Sequence, residues 1–347
     1  MANYANAVIA KTRAMFGQML SPVQYDELLR KQSIQEISAY LKEKTTYRSA
    51  LAGVQDSEVH RGQLEMLLHK DVLYQYVRLV KYVRAKDSVY EYIIMDMEIE
   101  TILSRLRDLI SSREEDDYIT SLPSFIQPYV SFNIFEMAHV DSVEQMAEFL
   151  KNTPYGPVIR ACKERLDNQD GRIDYTAYEM ALRNYYFNTL LERAQKNESG
   201  AARDQLRELI TMRAETMNLN TIYRMKAYFG AQPEQIRAVI LPFRCKLSRR
   251  ELDALIEARD EQAFRKGLSG TIYGKHLPED ARFLENETDN MRYRLDLRML
   301  RFSTDPQVVF MAFMLLRGME TENIVRIIEG VRYQRSPEKI QQLLYRA

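Results

Sequence analysis

Hydrophobic positions recur three times along this chain in one helical pattern, each time behind the same kind of start signal. Ile34, Ile37 and Leu41 space onto one helix face, and Val143, Met146 and Leu150 repeat that spacing. A worn third version runs from Asp260 to Tyr273. Ser33 with Glu36, and Ser142 with Gln145, stand at the capping-box distance, where a hydroxyl accepts from an exposed helix amide and the later side chain reaches back. Asp260 can cap the third segment alone. Pro154 predicts the end of the second helix, because Thr153 before it resists helical geometry. Each box closes on a tyrosine: Tyr47, Tyr155 and Tyr273.

The repetition extends on both sides. Upstream, Leu20-Ser21 with Gln24 matches Leu247-Ser248 with Glu251, and Pro22 sits at the first helical position, where proline is tolerated. The second copy is weaker there, around Ser131 to Met137. Downstream, Glu98 to Ile102 resembles Asn218 to Ile222 and Asn323 to Ile327. The period, roughly 110 residues, is far above the about 20–50 residues of a solenoid repeat. It predicts three similar helical domains in tandem, over 1–115, 116–235 and 236–347, with the third also free to pack on the N-terminal helix.

Composition narrows the fold class. The chain is 46% hydrophobic, with only 12 Gly and 10 Pro in 347 residues. The stretches Gln63–Arg84, Glu91–Ser111 and Asp174–Asn197 contain neither breaker. Helical periodicity with so few breakers predicts an all-α protein with little or no sheet. Lys plus Arg equals Asp plus Glu at 49 each, so there is no basic excess to neutralise a nucleic-acid backbone. Cys162 and Cys245 form no ligand pair, which fits a reducing compartment. The N-terminal basic residues follow the apolar ones, unlike a secretory signal. The longest apolar run, Val308 to Leu316, is half the length of a membrane span and reads as a buried core helix. These features predict a soluble, cytoplasmic chain able to join a membrane complex.

Motifs for catalysis are weak. Gly270 to Gly274, followed by Lys275 and His276, evokes a phosphate loop, but the spacer is short and no Ser or Thr follows the lysine. It reads as the end of the third box. Asn168 to Gly171 resembles a calcium-loop turn, yet Leu166 and Ala177 fall where the first and twelfth ligands belong, so it reads as a helix–turn–helix link. His60, His69, His139 and His276 lack metal-site spacing, and the two cysteines read as core fillers. The acidic run Glu114 to Asp117 reads as a solvated linker, and the Asn197-Glu198-Ser199 sequon has no use in the cytoplasm. Tyrosine is abundant, at 22, in clusters such as Tyr74–Tyr92 and Tyr175–Tyr186 that are expected mostly to pack helix on helix with the hydroxyl outermost.

Taken in order, Tyr4, Ala10-Lys11-Thr12-Arg13, Met19-Leu20-Ser21, Leu28-Leu29, Leu41 with Thr45-x-Tyr47, and the closing Asn323 to Ile327 and Ser336-Pro337-Glu338 resemble the C subunit of archaeal and bacterial V/A-type ATPases. The d subunit of the eukaryotic vacuolar ATPase is the related form. The resemblance covers almost the whole chain and rests on order and recurrence more than on any one motif. It implies a funnel of three helical domains about a pseudo-threefold axis, on the cytoplasmic face of the membrane rotor ring. The funnel would receive the D and F subunits of the central stalk and transmit torque for ATP-linked proton or sodium transport. It implies no catalytic residue, no cofactor and no metal, and one copy per complex, monomeric when isolated. The polar residues at matching places, Glu98, Asn218 and Asn323, are then expected to face the socket and touch the stalk or brace its wall, against the plainer role of interhelix hydrogen bonds. A general all-α adaptor without ATPase association is the alternative. A helical hydrolase or transferase is a third reading, and no nucleophile–base constellation supports it.

Overall fold

The computed structural model describes residues 2–345 except 56, 112–116, 167–172 and 275–283. All regular structure among these residues is helical, as the periodicity predicts. The calcium-like turn at 168–171, residues 114–116 of the acidic run, and Lys275 and His276 lie outside the described residues.

The chain divides into two compact units, one of residues 1–85 with 279–347 and the other of 86–278. The first opens with α1 (Ala2–Phe16), α2 (Pro22–Leu29), α3 (Ile34–Lys44) and α4 (Arg61–Val80). The second holds α5 (Tyr92–Ser111), α6 (Asp117–Ser121), α7 (Val143–Phe149), α8 (Gly156–Leu166), α9 (Tyr175–Asn197), α10 (Gly200–Phe229), α11 (Pro233–Arg237), α12 (Arg249–Glu257) and α13 (Glu261–Ser269). The chain then completes the first unit with α14 (Leu284–Phe302), α15 (Pro306–Arg332) and α16 (Pro337–Gln341). The breaker-free stretches noted in the sequence are α4, α5 and α9.

In the first unit α15 is the central post, packed by α14, α1 and α4. Its apolar run Val308–Leu316 is buried throughout, so these residues form a protein core. No helix among the described residues is long and apolar enough to cross a membrane. Arg13 of α1 donates to the carbonyl oxygens of Leu300, Arg301 and Ser303, at 3.1, 3.1 and 2.7 Å. It thereby satisfies carbonyls that the end of α14 leaves without helical partners. The first box packs on the far half of α15: Leu28, Ile37, Leu41 and Tyr47 share one core with Ile324, Ile327, Ile328 and Ile340. Gly330 permits that closeness, since a Cβ there would stand 2.4 Å from Ile340.

In the second unit α9 packs against α5, α8 and α10, and α13 packs on α10. Tyr90, Tyr92, Tyr178 and Tyr186 of this unit are buried; in the first unit Tyr76 is buried, whereas Tyr74 and Tyr82 are exposed. Cys162 is buried and Cys245 half-buried.

The caps follow the sequence with one refinement. Ser21 with Gln24, and Ser248 with Glu251, form reciprocal capping boxes. Ser33, Ser142 and Asp260 accept from Glu36, Gln145 and Ala263 at 3.1, 3.2 and 2.9 Å. The return bonds of Glu36 and Gln145, however, go one residue earlier than the capping box requires, to the amides of Gln32 and Asp141.

Candidate functional site

The three box tyrosines are each held by one internal device. A threonine two residues earlier accepts from the tyrosine amide, at 3.2 Å for Thr45–Tyr47, Thr153–Tyr155 and Thr271–Tyr273 alike. The same hydroxyl donates back to the preceding helix, at Leu41, Leu150 and Leu268. This ST-turn fixes the ring direction, and all three rings are buried. The glycines that follow Tyr155 and Tyr273 are sterically required: a Cβ on Gly156 would come within 2.4 Å of the Leu150 carbonyl oxygen, and one on Gly274 within 2.2 Å of Ser269.

Each tyrosine hydroxyl donates to a glutamate in the middle of a long helix. Tyr47 reaches Glu320 of α15 at 3.0 Å, Tyr155 reaches Glu98 of α5 at 2.7 Å, and Tyr273 reaches Glu215 of α10 at 2.5 Å. The carboxylate then gathers the backbone that precedes the box. Glu320 accepts from Leu20, Glu98 from Ser131, and Glu215 from Cys245, Lys246 and Leu247. One buried acid thus bonds a helix, a turn and a box tyrosine into a keystone, three times over.

Burial raises the Glu98 carboxyl above its ordinary value, against the lowering effect of the Ser131 and Tyr155 bonds. Glu320 is raised by burial too, although Arg317 pulls the other way. Burial, with the facing carboxylate, lifts the hydroxyls of Tyr47, Tyr155 and Tyr273 well above the usual phenol range, so they remain donors at any physiological pH.

The keystones correct the register read from the sequence. Glu98 corresponds to Glu215 and Glu320, while Asn218 and Asn323 lie one turn further on, at the place of Thr101. A slip of three residues keeps the same apolar helix face, so hydrophobic spacing alone could not detect it. Asn218 and Asn323 still share a task. The Asn218 amide bonds both the N–H and the carbonyl of Leu241, at 2.7 Å each, and Asn323 does the same to Tyr345 at 2.8 and 3.2 Å. Glu98, Asn218 and Asn323 are 3%, 2% and 2% exposed. Glu215 and Glu320 were missed in the sequence; the signal available was the box tyrosine, a buried hydroxyl that needs an acceptor.

The first copy adds a charge. Arg317, one turn before Glu320, bonds Glu320 and also Asp71 of α4, the latter at 2.7 Å, with the side chains of Arg317 and Asp71 only 4% and 2% exposed. Its guanidinium lies 4.2 Å from the centroid of the Tyr47 ring. The same helical offset holds Met95 before Glu98 and Met212 before Glu215.

These features build walls. Among the described residues no group of three or more His, Cys, Asp or Glu could hold a metal ion. His60 is the N-cap of α4. The sequence matches the family described as ATP synthase (C/AC39) subunit over residues 8–343. The chain belongs to that family. Membership makes it a non-catalytic subunit of an A/V-type ATPase.

The C subunits of archaeal A-type ATP synthases are similar along much or all of the chain. That of Methanocaldococcus jannaschii is 24% identical over 354 residues, covering 97% of this chain and 85% of the relative. That of Methanosarcina mazei is 23% identical over 354 residues, covering 99% and 92%. The match to the Thermococcus kodakarensis protein, 24% over 235 residues, covers 67% of this chain and spans 60% of the relative's length. In this chain each keystone holds one long helix, one turn and one box tyrosine in fixed relation.

Proposed function

We propose that this chain is the central-rotor socket of an A/V-type ATPase, seated on the cytoplasmic face of the membrane rotor ring. It receives the D and F subunits of the central stalk and passes torque between the stalk and the ion-carrying ring. The observation that carries the reading is the threefold recurrence of the keystone. The second box bonds to α5 before it, the third box to α10 before it, and the first box to α15 near the other end of the chain. The first of these bonds lies within the second unit, as does the next, and the last lies within the first unit; each joins one box to one long helix. The threefold recurrence of one joint is what supports the proposed pseudo-threefold funnel of three similar domains, and α15 of the third also packs on α1. A part that turns as one body needs such rigid joints, and buried, hydrogen-bonded polar groups supply them.

Glu98, Asn218 and Asn323 act on stalk binding through the wall they brace, since their side chains are buried and bonded to backbone or tyrosine. Cross-linking mass spectrometry of the assembled complex tests the placement: links from this chain to D and F on one side and to the ring on the other are expected. A chain that purifies free of ATPase subunits would instead support the general adaptor. For the bracing role, the triple variant Glu98→Ala, Asn218→Ala, Asn323→Ala is expected to weaken binding of the D–F stalk. Unchanged binding by a variant shown to be folded by circular dichroism would exclude it.

A further inference from the structure

The first unit carries a cleft of about 450 Å³ whose walls are explained by the third copy of the repeat. In that third copy Asn218 pins Leu241, and the chain continues without helix through Pro242, Phe243, Arg244, Cys245 and Lys246 to Leu247. Burial alternates along it: Leu241, Phe243 and Leu247 are buried, while Pro242, Arg244 and Lys246 are exposed. That is the period of an extended strand lying in a groove. The Phe243 ring sits with its centroid 5.4 Å from that of Phe187 on α9.

The first copy has the same two ends of this segment. Asn323 pins Tyr345 as Asn218 pins Leu241. Leu20 donates to Glu320 as Leu247 donates to Glu215, and Ser21 and Ser248 then cap the next helix. Between Tyr345 and Leu20 lies the cleft, floored by Asn323 and walled by Tyr25, Leu344 and Tyr293. Tyr293 stands on α14, the helix that precedes α15 as α9 precedes α10. The exposed carboxylate of Asp26 lines the same cleft. The volume falls in the range that holds a few side chains of a ligand.

We propose that this cleft docks an extended peptide segment of a partner protein, with an aromatic side chain in the place that Phe243 fills in the third copy and a basic residue beside it. The protein's own segment 241–246 serves as the template of the occupant: alternate side chains enter the groove and the others stay in solvent, a common mode of peptide recognition. Asp26 favours the cationic neighbour. The inference rests on the repeat and the cleft, and holds whether or not the rotor placement does.

The probe is a labelled peptide of the sequence of residues 241–246 carrying Cys245→Ser, titrated by fluorescence anisotropy with the full chain. Saturable one-site binding is expected. Replacing the phenylalanine of the peptide by alanine is expected to weaken it at least about tenfold, the scale of losing one buried aromatic ring. Gln341→Trp, which narrows the cleft from α16, is expected to weaken binding comparably while circular dichroism and melting temperature stay unchanged. Absence of saturable binding by the full chain overturns the proposal, as does binding indifferent to both the alanine peptide and Gln341→Trp. Binding that appears only when residues 346–347 are deleted also overturns it, and assigns the cleft to the protein's own tail.

Discussion

Glu320 in the first unit and Glu215 in the second hold matching places on long helices, yet their charge is compensated differently. Glu215 accepts from the amides of Cys245, Lys246 and Leu247 and from Tyr273. All of these except the tyrosine belong to one continuous loop. Glu320 accepts one amide, from Leu20, with Tyr47 and the guanidinium of Arg317. In the first unit box and helix come from distant parts of the chain, and a second helix, α4, adds Asp71 to the same cation. Where local backbone can supply donors, the carboxylate needs no counter-charge. Where the joint must close segments far apart in sequence, an arginine with a planar fork of donors ties three elements at once.

The comparison breaks most sharply at Arg317. Arg317→Met gives the first copy the residue that the other two carry, but leaves Asp71 and Glu320 buried without their cation. A loss of about 3–5 kcal/mol is expected, because removing one partner of a buried pair strands the other charge. Urea denaturation followed by circular dichroism measures it. The double variant Arg317→Met with Asp71→Leu should regain a good part of the loss, since it removes one of the stranded acids. A single variant as stable as the wild type would show that the arginine is not the closure.

The tyrosines sharpen the comparison one step lower. Replacing any of them by phenylalanine deletes a hydroxyl and leaves a buried acceptor short of a donor, at a cost of about 1–3 kcal/mol. The order is the informative part. Without its tyrosine Glu98 keeps only the amide and hydroxyl of the single residue Ser131, whereas Glu215 keeps three amides and Glu320 keeps an amide and the Arg317 cation. Tyr155→Phe should therefore cost more than Tyr47→Phe or Tyr273→Phe in thermal denaturation. Equal losses would mean that the remaining donors do not share the charge.

The boxes and their caps were legible because they are local: a serine with an acid or amide three residues on, or an aspartate alone, and an apolar stripe define a helix without knowledge of its neighbours. The all-α class and the buried run in α15 were legible for the same reason. The keystones were not. Tyr47 and Glu320 meet only through the closed fold, and the helix repeat lets a one-turn slip from Glu215 to Asn218 pass unseen, since both lie on the inner face of α10. The second copy also hides its turn. There Asn133 accepts from the amide of Phe135, and 3-10 turns replace the capped helix found after Ser21 and Ser248. The glutamate that collects the Ser131 amide makes plain an equivalence that the sequence carries only weakly, around Ser131 to Met137.

Titration separates the copies most gently. The Glu98 carboxyl is raised above 4.5 by burial, so the folded protein holds a proton in a range where the unfolded chain has released it. Stability from this group is therefore present at and below the ordinary carboxylate range and is lost as pH rises through the raised value. Glu320 is shifted in the same direction and for the same first cause, with Arg317 opposing. Glu98→Gln removes the titrating group while its amide carbonyl can still accept one bond. The difference in stability between wild type and Glu98→Gln, followed by urea denaturation from the ordinary carboxylate range up to neutrality, should move against the wild type as pH rises. One proton limits that slope to about 1.4 kcal/mol per pH unit. Glu320→Gln should show the same sign with a larger pH-independent penalty, because it also takes an anion from between Arg317 and Tyr47. A difference that instead favours the wild type at higher pH would mean that the bonds from Ser131 and Tyr155 outweigh burial at Glu98. The keystone of the second copy would then be held by an ionised acid throughout.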